Sequence, residues 1–134
     1  MSNNNQSVDK PCKILIVDDE PYNIRVLKLK FENAGYTVVT ASNGLDGLNK
    51  FIAEGPDVVI SDIRMPVMSG QEMCKSLQEL GKGKPFLIII ITSTAEQSDR
   101  LWVDEIDNAN LVEKPVSPSH LLAVVEDYLN KAVV

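Results

Sequence analysis

The chain has 134 residues, 44% hydrophobic and 24% charged, with a formal net charge of -6. Such values suit one globular domain with a real core. The acidity argues against an electrostatic nucleic-acid surface, and no apolar run approaches the roughly 18 residues that span a bilayer, so no membrane role is expected.

Residues 1–11 read as a flexible polar tail without the apolar centre of a signal peptide, leaving 12–134 as one domain. Cys12 and Cys74 lack metal-ligand or C-x-x-C spacing and read as reduced thiols of a cytoplasmic protein. From there, short apolar runs alternate with helical patterns five times. Lys13 to Val17 is a β-branched run ending in acid, the mark of a buried strand. Ile24, Leu27, Phe31 and Ala34 recur on one face of a helix from Pro21 to Ala34, which Gly35 closes. Tyr36–Thr40 is a second strand, Gly44–Ala53 a second helix, and Asp57–Ser61 a third strand announced by Gly55-Pro56. Gly70–Leu80 is the third helix, and a loop with Lys82 and Lys84 leads to the strand Phe86–Ile91. Ala95–Ile106 forms a fourth helix and Asn108–Val112 a weaker fifth strand. The last helix runs to Lys131, with Ser117 as N-cap ahead of Pro118.

Strict β/α alternation with near-continuous apolar strands implies a parallel sheet covered by helices on both faces. Right-handed crossovers make this a doubly wound α/β fold. In such sheets ligands bind beyond the carboxyl ends of the strands. Asp18, Asp19 and Glu20 follow the first strand, Asp62 the third, Thr92 and Ser93 the fourth, and Lys114-Pro115 the fifth. Each group alone has a bland explanation as a solvated acid, a capping hydroxyl or a turn. Brought to one rim, three carboxylates would repel unless a cation neutralises them, and Mg2+ is the hard ion that leaves positions open for phosphate oxygens. Lys114 can then bind an anion, Thr92 can donate a hydrogen bond, and Asp62 can attack phosphorus.

These residues resemble the receiver domain of bacterial two-component response regulators, over residues 12–131. The motifs are Ile-Val-Asp-Asp-Glu (16–20), Ser-Asp-Ile-Arg-Met-Pro-Val-Met-Ser-Gly (61–70), Ile-Thr (91–92) and Glu-Lys-Pro (113–115). The resemblance implies a flavodoxin-like, five-stranded sheet of order 2-1-3-4-5 with five helices. It implies Asp62 as phosphoacceptor, with Asp18, Asp19, Asp62 and the Arg64 backbone carbonyl holding Mg2+. It makes Thr92 the switch hydroxyl, Lys114 the phosphate-binding lysine and Lys114–Pro115 a cis bond. The donor would be a sensor histidine kinase or phosphotransfer protein. The output would pass through the face of the fourth helix, fifth strand and fifth helix to a target or fused output domain. The chain would not be an enzyme beyond self-phosphorylation and autodephosphorylation.

Several positions depart from the family pattern. Leu111 stands where an aromatic usually couples to the switch hydroxyl, Asn108-Ala109 replaces Gly-Ala, and Val116 replaces Phe. Ser93 follows Thr92, and Thr94 is an alternative switch hydroxyl if the fourth strand runs longer, although spacing favours Thr92. Leu111 keeps open a pseudo-receiver that binds proteins without phosphate. An aspartyl-phosphate phosphohydrolase is disfavoured because Arg64 stands where its second Asp belongs. His120 reads as a surface residue of the last helix. Trp102 reads equally as a partner anchor or as sheet packing, and Met65, Val67 and Met68 as packing or rim residues. A single-domain regulator and a domain cut from a longer protein fit equally well.

Overall fold

Five parallel strands form one sheet, in which the second strand in chain order lies at one edge, followed by the first, third, fourth and fifth. The structure is a computed structural model that describes residues 12–81, 85–93, 96–115 and 117–133. Expectations for the tail 1–11, for Lys82 and Lys84, for Thr94 as alternative hydroxyl and for Val116 lie outside the described residues. The elements are β1 (Lys13–Val17), α1 (Pro21–Asn33), β2 (Thr37–Ala41), α2 (Gly44–Glu54) and β3 (Val58–Asp62). They continue as α3 (Gly70–Leu80), β4 (Leu87–Thr92), α4 (Gln97–Asp104), β5 (Ala109–Glu113) and α5 (Pro118–Val133).

The apolar strands divide their side chains between two cores, as the period-two pleat requires. Leu15, Val17, Val59, Ile88 and Ile90 face one way, against Phe51 of α2, Met73, Cys74 and Leu77 of α3, and Val103 of α4. Ile14, Ile16, Val58, Ile60, Leu87, Ile89 and Ile91 face the other way, against Phe31 of α1 and Leu121 and Val125 of α5. Full burial of one such side chain contributes about 1.5–3 kcal/mol. An exposed pair such as Asp127–Lys131 contributes at most about 1 kcal/mol. Packing on the central strands therefore holds the rim in place. Burial also pushes the Cys74 thiol up to about 12, which keeps it neutral and inert.

Helix starts are fixed by local chemistry. Asn43 caps α2 by accepting from Asp46 N at 2.8 Å, and Gly55 ends it in the left-handed region at φ 58°. Ser69 and Glu72 exchange hydrogen bonds at the start of α3 in a capping box. His120 N donates to Ser117 Oγ at 3.0 Å, so Ser117 caps α5, and His120 itself is exposed.

Several boundaries differ from the sequence expectation. β2, β3, β4 and β5 each end one residue later than their apolar runs, because a ladder is made by backbone groups and continues wherever a neighbour pairs. Asp62 thus pairs with Ile91, and Thr92 with Glu113, inside the sheet. The fourth helix begins at Gln97, not Ala95, with Glu96 as its N-cap residue, and ends at Asp104. Met65 and Met68 pack against the core as expected. Val67 does not pack: it is 75% exposed, in the loop between β3 and α3, and sits at φ 71°.

Candidate functional site

Four strand ends meet at the carboxyl edge of the sheet, and the acids arrive there in different environments. Asp18, directly after β1, is 7% exposed. Its Oδ1 accepts from Glu20 N at 2.9 Å and its Oδ2 from Asn23 Nδ2 at 3.4 Å, on the first turn of α1. Burial holds its carboxyl above the ordinary value; the Glu20 hydrogen bond and the Lys114 charge oppose that rise, and the Asp62 charge adds to it. Asp19 is exposed beside it. Carboxylate oxygens of Asp18, Asp19 and Asp62 lie within 4.8 Å of one another.

Asp62 is held from two sides. Its Oδ1 accepts from Ile63 N at 2.6 Å and from Arg64 N at 3.4 Å. Its Oδ2 lies 3.3 Å from Lys114 Nζ, and the Lys114–Pro115 bond is cis. The chain then turns back so tightly that Gly70 N donates to Ile63 O at 2.6 Å. A Cβ at position 70 would run into the Asp62 carbonyl oxygen and Ile63 Cα, so only glycine fits without a shift. Ser61 is buried and donates to the Asp62 carbonyl at 2.8 Å, fixing the backbone behind the carboxylate.

Thr92 closes the other side. It is 2% exposed, and its Oγ1 accepts from Arg64 Nη1 at 3.5 Å. A cleft of about 490 Å3 opens beside these groups, with Asp18, Asn23, Asp62, Ser93 and Lys114 among its lining. The sequence expectation thus holds for placement: Asp18, Asp19, Asp62, Thr92 and Lys114 share one rim. An all-oxygen cluster of three acids, one of them raised by burial, fits a hard divalent cation, which would remove both the repulsion and the desolvation cost.

Other contacts of the site were not foreseen from sequence. Asn23, in the first turn of α1, steadies Asp18 through its amide. The Arg64 guanidinium reaches past the rim and bridges Thr92 to Asp99 on α4, with Nη2 3.6 Å from Asp99 Oδ2. A residue five positions after an acid on a helix's first turn is a readable signal. An arginine's reach to another helix is not. Trp102 and Leu111 are half-buried and pack on the core beneath α4, so Trp102 follows the sheet-packing alternative.

The family model for the response regulator receiver domain matches residues 14–126. The probable transcriptional regulator ycf27 of Guillardia theta is 40% identical over 119 residues, 89% of this chain and 46% of that protein. The alkaline phosphatase synthesis transcriptional regulatory protein PhoP of Bacillus subtilis is 34% identical over 120 residues, 90% of this chain and 49% of that one. The chain spans about half the length of these curated relatives. Among solved structures, chemotaxis protein CheY4 of Vibrio cholerae is similar with a TM-score of 0.80 at 29% identity, covering 88% of this chain and 98% of that one. A CheY-like receiver domain protein of Methanospirillum hungatei gives 0.84 at 28% identity, covering 91% and 96%.

Proposed function

The chain belongs to the response regulator receiver family, and on that premise we propose that Asp62 accepts a phosphoryl group and thereby switches the protein's interactions. The observation that carries this reading is the Asp62 carboxylate itself. Its Oδ1 is engaged by two backbone N–H groups, while Oδ2 faces an ammonium 3.3 Å away. Oδ2 then forms the new bond to phosphorus as the donor's bond to phosphorus breaks, and the leaving group carries off that electron pair. No general base is needed, because a carboxylate is ionised near neutral pH. Lys114 follows the charge onto the phosphoryl oxygens, and Thr92 donates a hydrogen bond to one of them.

Asp18, Asp19, Asp62 and the Arg64 carbonyl would hold Mg2+, which supplies charge neutralisation at the equatorial oxygens when bound. Asp18 is positioned for this by Glu20 N and Asn23, so its orientation does not depend on the ion. The donor is a sensor histidine kinase or phosphotransfer protein. The response leaves through the face of α4, β5 and α5, where Arg100 and Glu113 form an ion pair between α4 and β5. The relatives' names point to transcriptional control; the recipient of the signal is a downstream target or a fused output domain, and this domain makes no nucleic-acid contacts of its own. The setting of this signalling reaction is cytoplasmic; among the described residues no helix is long and apolar enough to cross a membrane.

Acetyl phosphate with Mg2+ should label the protein, seen as a Phos-tag mobility shift and a mass increase. Chelation of Mg2+ and Asp62→Asn should each abolish the label. Labelling that persists unchanged in Asp62→Asn would sink the assignment.

A further inference from the structure

A line of polar contacts leads away from the rim through the Arg64 side chain. Arg64 Nη1 donates to Thr92 Oγ1 at 3.5 Å, and Nη2 lies 3.6 Å from Asp99 Oδ2 and 4.0 Å from Glu96 Oε1. Asp99 is 7% exposed, so its charge is largely out of water and depends on its partners. Those partners belong to α4: Glu96 N donates to Oδ2 at 3.1 Å, and Trp102 Nε1 donates to Oδ1 at 3.3 Å. One guanidinium thus ties the buried hydroxyl at the end of β4 to the first turn of α4. Leu111, half-buried in the same core, has no polar atom with which to follow Thr92.

We propose that Arg64 is the coupling residue between occupancy of Asp62 and the position of α4, acting through Thr92 on one side and through Asp99 and Trp102 on the other. This rests on the reading of Asp62 as the acceptor. With Asp62 bare, the guanidinium neutralises Asp99 and pins the first turn of α4. A phosphoryl group brings a charge of roughly -1.5 to -2 and three strong acceptors two residues from Arg64. It draws the Thr92 hydroxyl inward and competes with the single charge of Asp99 for the guanidinium, and arginine favours phosphate oxygens in paired hydrogen bonds. Asp99 then loses its counter-charge, and Trp102 loses a fixed acceptor. The helix that carries them gains freedom to move, which shifts an equilibrium by the difference in contacts between the two states.

Trp102 is the chain's sole tryptophan, so its emission reads the far end of this relay. The experiment adds Mg2+ and beryllofluoride to the full chain, following binding by fluorine NMR and α4 by Trp102 fluorescence. The wild type should bind and change its emission. Asp99→Asn, which removes the charge and keeps one oxygen for Glu96 N while its amide NH2 replaces the acceptor of Trp102 Nε1, should bind within about fivefold of the wild type and lose the emission change. Arg64→Met should show the bound-state emission before any ligand is added, and Arg64→Lys should restore part of the response. A full wild-type emission change in both Asp99→Asn and Arg64→Met would overturn the relay, as would wild-type binding with silent Trp102; either result leaves the acceptor reading standing. Wild-type protein without a bound fluorine resonance, or Asp62→Asn that keeps it, would overturn the acceptor reading and the relay with it.

Discussion

Replacing Asp18 by asparagine should stabilise the protein without Mg2+ and weaken its response to Mg2+. The Asp18 and Asp62 carboxylates have oxygens within 4.8 Å. Two unit charges at that distance repel by about 3.5 kcal/mol at an effective dielectric near 20, and by under 1 kcal/mol in bulk water. The Lys114 charge offsets part of this, since it favours the ionised form of Asp18. Asparagine keeps an oxygen for Glu20 N, so the local hydrogen bond survives. The net relief in the metal-free state is then on the order of 1 kcal/mol, a rise in Tm of about 3–5 °C for a domain of this size. Against that, loss of one of three acids should reduce Mg2+ affinity by at least about tenfold. Mg2+ at ten times its Kd stabilises the wild type by about 1.4 kcal/mol, so the two stability curves should cross as Mg2+ is raised. Thermal and urea unfolding in EDTA and along a Mg2+ series measure both effects. A variant less stable than the wild type in EDTA, or equally stabilised by Mg2+, would refute the reasoning.

The same group predicts a pH dependence. Asp18 keeps its proton in the folded state above the ordinary value of 3.8, because burial disfavours the charge. The folded state therefore binds more protons than the unfolded chain, and metal-free stability falls as pH rises from near 4 through the raised folded value. The difference between wild type and Asp18→Asn, measured by urea unfolding in EDTA, should decline across that window; a flat difference would contradict it. Gly70→Ala places a Cβ against the Asp62 carbonyl and Ile63 Cα. It should cost about 1–3 kcal/mol and reduce acetyl phosphate labelling, whereas unchanged unfolding and labelling would show that the turn has slack.

Much of the architecture was legible before any coordinates. Runs such as Leu87 to Ile91 could satisfy burial only between two helical layers, and the split of alternate residues between the two cores bears this out. The rim residues were legible because each follows an apolar run, and parallel winding brings all such ends to one edge. Strand ends were less so, since Asp62 and Thr92 join the ladder through backbone pairing that side-chain polarity does not report. The start of α4 was misplaced by two residues. A helix starting at Ala95 would put Asp99 in its second turn, whereas it stands at the third helical position and accepts from Glu96 N.

The residue pattern by itself determined the alternation of elements, the two-faced core and the company kept by Asp18, Asp19, Asp62, Thr92 and Lys114. These follow from periodicity and chain direction, which are properties of sequence order. Only the tertiary structure decided how those groups differ. It buried Asp18 while leaving Asp19 in water, and it set Asp62 between backbone amides and an ammonium. It also sent the Arg64 guanidinium across Thr92 to Asp99. Burial and side-chain reach depend on distances between segments far apart in the chain. Those distances exist only once α1, α4 and the loop after β3 have packed onto the sheet.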